Sequence, residues 1–216
     1  MTDARIPRRP APKQERAQQT YDRLLAVAGE LLAEVGIDQI STNLICTRAG
    51  LTPPALYRYF ADKYAVLEAL GRRLMDRQNA VLERWIERHV AGGAEALRGH
   101  VEELLRETAV VTNEEPGAVW ILRALHASPR LIHVRLESHR LVTDRLTDAY
   151  AGHLPSVDRV ALWRQLRLSV EIGFSVIEML HEETMVPSDH VVAQLSAMLA
   201  SAPQIGPEAT HSGSSM

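Results

Sequence analysis

Tyr57, Arg58 and Tyr59 follow Pro53, Pro54 and Ala55 with only Leu56 between them, so two phenols and a guanidinium share one short stretch of chain. A soluble helix has little folding reason to show those groups together. A helix seated in the major groove of DNA has one, because phenol and guanidinium groups donate to phosphates and reach base edges. Four residues apart, Leu56 and Phe60 can face inward together and leave Pro53, Pro54, Ala55, Tyr57, Arg58 and Tyr59 outward.

The elements that would hold these groups are legible around them. Residues 41–63, STNLICTRAGLTPPALYRYFADK, read as two short helices broken at Ala49-Gly50-Leu51 and restarted at Thr52-Pro53. That is the pattern of a helix-turn-helix. Thr42 is a hydroxyl cap for the first helix, and Ile45 with Ala49 supplies its apolar face. Gly50 gives the turn its backbone freedom, and Leu51 can plug the angle between the helices. Thr52 is placed to cap the second helix, with Pro53 at the first helical position, where a missing N–H costs little. A preceding helix from about Gln14 to Val35 carries Leu24, Leu25, Ala28, Leu31 and Leu32 at helical spacing, and Gly36 is placed to stop it.

Gly36, Ser41-Thr42, Ile45, Ala49-Gly50-Leu51, Leu56-Tyr57-x-Tyr59-Phe60, Lys63 and Leu67 together resemble the N-terminal domain of TetR/AcrR-type transcriptional regulators. The resemblance covers residues 16 to 70. It implies an all-α chain with a three-helix DNA-binding head and a larger helical body for ligand binding and dimerisation. The divisions expected are a basic arm at 1–14, a head at 15–61, a body at 62–202 and a tail at 203–216. By the same resemblance Thr42, Thr52, Tyr57, Tyr59 and Lys63 match phosphate-holding positions. Pro53, Pro54 and Ala55 would open the recognition helix toward base edges, and Asn43, able to bond adenine in a bidentate way, would be the hydrogen-bonding reader. Arg58 suits either a phosphate or solvent. Three positions depart from the usual pattern: Tyr59 replaces a histidine, Leu44 a polar residue and Cys46 an alanine.

The net charge of −3 is unevenly spread. Residues 1–63 hold nine Lys/Arg against seven Asp/Glu, whereas residues 64–216 hold fifteen against twenty. Arg5, Arg8, Arg9 and Lys13 are interrupted by Pro7, Pro10 and Pro12, a stretch that would stay disordered as a solubilising tail or as a phosphate-contacting arm. No run reaches the roughly 18 apolar residues of a membrane span, and nothing resembles an export signal, so the expected location is the cytoplasm. One cysteine excludes an internal disulfide framework.

Asp62 is a cap for a fourth helix reaching about His89, with Leu67, Leu70, Leu74, Val81 and Trp85 on one stripe and Met75, Leu82 and Ile86 on another. Lys63 in its first turn opposes the helix dipole, a conflict that a nearby phosphate would remove. Beyond it, breaks at Gly92-Gly93, Glu115-Pro116-Gly117, Ser128-Pro129, Leu154-Pro155-Ser156 and Val186-Pro187-Ser188 divide residues 94–202 into about five helices. Residues 157–182 are the most apolar of these. One face carries Trp163, Leu166, Val170, Phe174, Ile177 and Leu180, and another Leu168, Ile172, Val176 and Met179.

The first of those faces, with Leu195 and Leu199, either meets a second copy of the chain, as the resemblance implies, or completes a monomer core. An effector pocket is expected among the central helices. Trp85, His89, Trp120, His126, Met179 and His181 are its candidates or ordinary core residues, and aliphatic walls favour a lipophilic effector.

The partners so implied are a double-stranded, partly palindromic operator, a small molecule and a second subunit. The expected function is a repressor that leaves its operator when the small molecule occupies the body, the alternatives being an activator of the same fold or a helical protein-interaction scaffold. No cofactor, metal site or enzyme is expected. His181-Glu182-Glu183 lacks the second histidine of a zinc helix because Met185 stands there, and no nucleophile elbow or phosphate loop occurs. His133 and Glu137 are spaced as two ligands or as a surface pair.

Overall fold

A computed structural model describes residues 12–182 and 187–200. Most of the basic arm and the whole 203–216 tail, as well as the side chain of His181, lie outside the described residues. The described residues are helical, with no strand among them. The helices are α1 (Pro12–Gln39), α2 (Thr42–Ala49), α3 (Pro53–Tyr57), α4 (Lys63–His89), α5 (Gly93–Gly99), α6 (Val101–Asn113), α7 (Ala118–Ala127), α8 (Ile132–Ala151), α9 (Arg159–Glu182) and α10 (Ser188–Ala200). None is long and apolar enough to cross a membrane.

Gly36 interrupts α1 with a φ of 71°. Ser41, not Thr42, caps α2: its hydroxyl accepts from the Leu44 N–H at 3.2 Å, so Thr42 becomes the first helical residue. Adjacent hydroxyl residues offer the same capping chemistry, and the extended backbone at Ser41 decides between them. Gly50 ends α2 at a φ of 65°, the left-handed conformation that glycine adopts without a Cβ penalty. Thr52 is extended before Pro53, but its hydroxyl makes no capping bond. Asp62 caps α4 as expected, accepting from the Ala65 N–H at 2.9 Å.

One apolar cluster joins α1, α2, α3 and the first half of α4, and continues through Ile121 and Leu125 of α7. A side chain at Gly71 would meet Leu125 at 2.8 Å, so α4 and α7 pack backbone to side chain there. A second cluster under Trp85 gathers α4, α5, α8 and α9, and a third lies between α6, α9 and α10. The body contains a break beyond those expected, at Gly99-His100 between α5 and α6, giving six helices among the described residues from 93 onward.

The turn after α6 docks two parts of the molecule at once. The Glu115 carboxylate is 2% exposed and accepts from Arg73 and Arg77 of α4. A Cβ built on Gly29 of α1 would lie 3.0 Å from the Pro116 carbonyl oxygen, and Trp120 packs against Gly36.

Candidate nucleic-acid interface and body cavity

The exposed face of α2 and α3 brings most of the expected recognition groups together. Asn43, Thr52, Pro53, Pro54, Tyr57 and Arg58 are exposed, and Ala55 is half-buried beside them. Tyr57 is 52% exposed although its neighbour Leu56 is fully buried. The Tyr57 hydroxyl lies 3.3 Å from the Thr42 hydroxyl, a pairing across the two helices that neither helix needs for its own backbone. Arg48 is engaged elsewhere, held by a two-pronged bond to Glu34 at 2.7 and 2.9 Å.

Tyr59 departs from the outward placement expected for it. It is half-buried against α1, its ring 6.2 Å from that of Tyr21, which stacks on Phe60 at 5.2 Å. α3 stops at Tyr57, and the turn that follows rolls Tyr59 back toward the head core. Lys63 has a partner within the fold: its ammonium donates to the Ile37 carbonyl at 3.4 Å, easing its conflict with the α4 dipole. Arg130 bonds Asp62 at 2.7 Å, and with the Ala65 N–H it holds that carboxyl below the usual range.

The cavity of the body lies between α4, α6, α8 and α9 and encloses about 110 Å³. Its wall is aliphatic and aromatic, with Leu82, Trp85, Leu104, Leu146 and Phe174, and none of its lining residues carries a formal charge. Of the expected pocket residues only Trp85 lines it. His89 stacks on His100 at the surface, Trp120 packs at the junction of head and body, His126 pairs with Glu178 at 3.2 Å, and Met179 lies off the cavity. Gln78, not among the residues expected there, also lines the cavity. It is 3% exposed on the apolar face of α4, four residues after Leu74 and three before Val81. A polar residue inside an apolar stripe was the available signal. The Thr112 hydroxyl donates to the Thr108 carbonyl at 2.7 Å, so it accepts from the Gln78 amide at 2.8 Å. That orientation leaves Gln78 Oε1 buried without a partner at the cavity wall.

The α9 stripe expected to meet a second subunit faces its own chain instead. Val170, Ile177 and Leu195 are buried, Leu166, Phe174 and Leu199 line the cavity, and the Trp163 indole donates to Asp144 of α8 at 2.6 Å. α9 is apolar on two sides, and the side with the aromatic residues turned toward α6 and α8. Leu168 at 62% and Ile172 at 36% face outward, as does Leu141 of α8. Nor do His133 and Glu137 pair as ligands: His133 meets Glu68, and Glu137 meets Arg72.

His139 on α8 is 2% exposed, stacks on Phe174 at 4.2 Å and lies 3.1 Å from Glu171, which also binds Arg135 and Arg167. Burial pushes its pKa down to about 4, overriding the support of Glu171. The unfolded imidazole takes up its proton near pH 6.5 and the folded one only near 4. Stability is therefore fully present above about pH 6.5 and drains away as pH falls to about 4. We expect a loss on the order of 2 kcal/mol over that window, discounted for the partly exposed Glu171 partner. Urea unfolding at several pH values checks it, because the His139→Gln protein should lose this slope while keeping that of its carboxylates.

An exposed helix-turn-helix on a helical body that encloses an apolar cavity is an arrangement suited to a DNA-binding regulator. Residues 24–70 match the family model described as bacterial regulatory proteins, tetR family. Those residues carry the DNA-binding head of the TetR family of transcriptional regulators. It is 24% identical over 190 residues to the HTH-type transcriptional regulator UidR of Escherichia coli, covering 86% of this chain and 94% of that one. Over 52 residues, 24% of each chain, it is 38% identical to the class A tetracycline repressor protein from transposon 1721 of Escherichia coli. The fold matches a tetR-family transcriptional regulator from Streptomyces coelicolor with a TM-score of 0.63 at 18% identity, over 84% of this chain and 79% of the other.

Proposed function

We propose that the chain is a homodimeric repressor that leaves a partly palindromic operator when an uncharged lipophilic effector fills the body cavity. The reading takes 15–61 as the DNA-binding head and 62–202 as the effector-binding and dimerising body. The observation that carries it is the exposed α2–α3 face, where Tyr57 and Thr42 present hydroxyls at one spot and Asn43, Thr52 and the two prolines stand beside them. Hydroxyls of this kind hold phosphates and fix register, while Asn43 and the apolar edges of Pro53 and Pro54 read bases. Tyr59 and Lys63 reach DNA only from the margin of this face, because each also serves the fold. Repression is favoured by the likeness over 52 residues to a protein named as a repressor.

The uncharged cavity wall favours a neutral ligand, and the unpartnered Gln78 Oε1 favours one that carries an N–H or O–H donor. At about 110 Å³ the cavity is well below the roughly 300–1,000 Å³ of sites for drug-sized ligands, so a larger effector must spread α4 and α6. Spreading would reach the head by two routes: through α4, which begins beside α3, and through the turn after α6, which rests on α1. Either shift changes the separation of two recognition helices that must meet half-sites about one DNA turn apart.

The outward Leu168 and Ile172, with Leu141, are the surface proposed to meet the second subunit. Light scattering combined with selection from a random DNA pool tests the reading. The wild-type protein should be a dimer that enriches two inverted half-sites. Leu168→Glu with Ile172→Glu should yield a folded monomer with at least tenfold weaker operator binding. An unchanged dimer would move the interface elsewhere, and enrichment of no sequence would remove the operator reading. Operator complexes that no neutral lipophilic compound releases, although such compounds raise the melting temperature, would remove the coupling between cavity and head.

A further inference from the structure

At the junction of α4, α5 and α6, His89, His100 and Glu103 meet on the surface, and neither the DNA-facing residues nor the cavity uses them. One potential ligand atom from each lies within 4.8 Å of the others. His89 Nε2 is 3.0 Å from a Glu103 oxygen, and the two imidazoles stack with centroids 3.9 Å apart and planes 16° apart. His100 Nδ1 is 2.7 Å from the Ala96 carbonyl, which can only accept. That nitrogen therefore carries the proton, and Nε2 keeps its lone pair. Metal-binding histidines are oriented in this way, with one ring N–H given to a carbonyl so that the other nitrogen is aimed at the ion. Glu103 is oriented as well, since Arg88 holds its second oxygen at 2.6 Å.

We propose that His89, His100 and Glu103 form a binding site for a divalent first-row transition-metal ion, zinc foremost. Two imidazoles and one carboxylate are a donor set that zinc accepts at about 2.0–2.2 Å, leaving a fourth position for water. The near-parallel stack keeps the two in-plane lone pairs apart, so the exposed His100 ring must tilt out of the stack about its bond to Ala96 to bring the ligand atoms to the roughly 3.3 Å separation which that length requires. Arg88 also holds Glu103, and its own charge is offset there by Glu107. Magnesium is a poor match, because it prefers all-oxygen octahedral surroundings. The bound ion would pin the last turn of α4 to the start of α6, beside the Trp85 indole that donates to the His100 carbonyl at 2.8 Å. This inference stands apart from the operator and effector reading.

Equilibrium dialysis of the full chain against zinc chloride, read by elemental mass spectrometry, tests it. The expected result is one zinc per chain, no competition from a large excess of magnesium, and a rise in melting temperature on zinc addition. His100→Ala alters an exposed side chain and should fold normally, yet bind zinc at least tenfold more weakly and lose the thermal shift. Glu103→Gln should weaken binding similarly, while His190→Ala, on exposed α10 surface, should bind as wild type. Absence of stoichiometric zinc, or unchanged zinc binding in both His100→Ala and Glu103→Gln, would overturn the site.

Discussion

Replacing Arg73 and Arg77 together by methionine is expected to destabilise the folded chain by about 3–5 kcal/mol, the usual cost of removing the partners of a buried charge. For a chain of this size that lowers Tm on the order of 10 °C. The reason lies in the unequal burial of the three groups. The Glu115 carboxylate is 2% exposed, whereas the two arginines are 32% and 36% exposed and Arg77 has a second carboxylate, Glu114, at 2.7 Å. Removing the arginines strands a carboxylate where water cannot reach it.

The reverse change should be milder. In Glu115→Leu both guanidinium groups can turn toward solvent, and a loss of roughly 1–2 kcal/mol is expected. The triple variant, with all three charges gone, should regain most of the double variant's loss. Urea unfolding of the four proteins closes this cycle. A double variant within about 0.5 kcal/mol of wild type would show that Glu115 is not held by these arginines.

Gly117→Ala is expected to cost about 3 kcal/mol, from a left-handed backbone penalty of about 1–2 kcal/mol and overpacking of similar size. Gly117 has a φ of 74°, and a Cβ there would lie 2.7 Å from the Gly29 carbonyl oxygen and 2.8 Å from Leu32 Cβ. One of these contacts is with the backbone of α1, so a side-chain rotation cannot relieve it. Either the 114–117 turn or the helix beneath it must move, and the head moves with α1. Gly117→Ala should therefore show both a lower unfolding midpoint and altered operator affinity, whereas Gly99→Ala, which meets nothing within 4 Å, should change neither by much. Equal stability of the two variants would contradict tight docking of the turn on α1.

The helix-turn-helix was legible in the chain because each of its residues solves a local problem. Gly50 adopts a left-handed φ, Pro53 occupies a position that needs no N–H, and Leu56 and Phe60 fall on one face. The α4 cap at Asp62 was legible for the same reason. What depended on distant packing was not. Spacing shows that α9 has two apolar stripes, but which one turns inward is settled by the shapes of α6 and α8. The break at Gly99-His100 carries no proline and depends on the junction around Trp85 and His89. Cavity residues were the least legible, since an aromatic on a central helix fills core as readily as it lines a pocket. Gln78 shows what a usable signal looks like: an uncharged polar side chain where periodicity demands an apolar one.

Fluorescence anisotropy of the wild-type, Tyr57→Ala and Lys63→Ala proteins on DNA from upstream of the gene, across a range of salt concentrations, tests the DNA-reading role of the α2–α3 face most directly. Tight binding to one segment, weakening steeply with salt, is expected. Tyr57→Ala should bind at least tenfold more weakly, and Lys63→Ala should lower the salt slope by about one at most. Binding that ignores sequence and is untouched by Tyr57→Ala would contradict the assignment of the α2–α3 face as the DNA-reading surface.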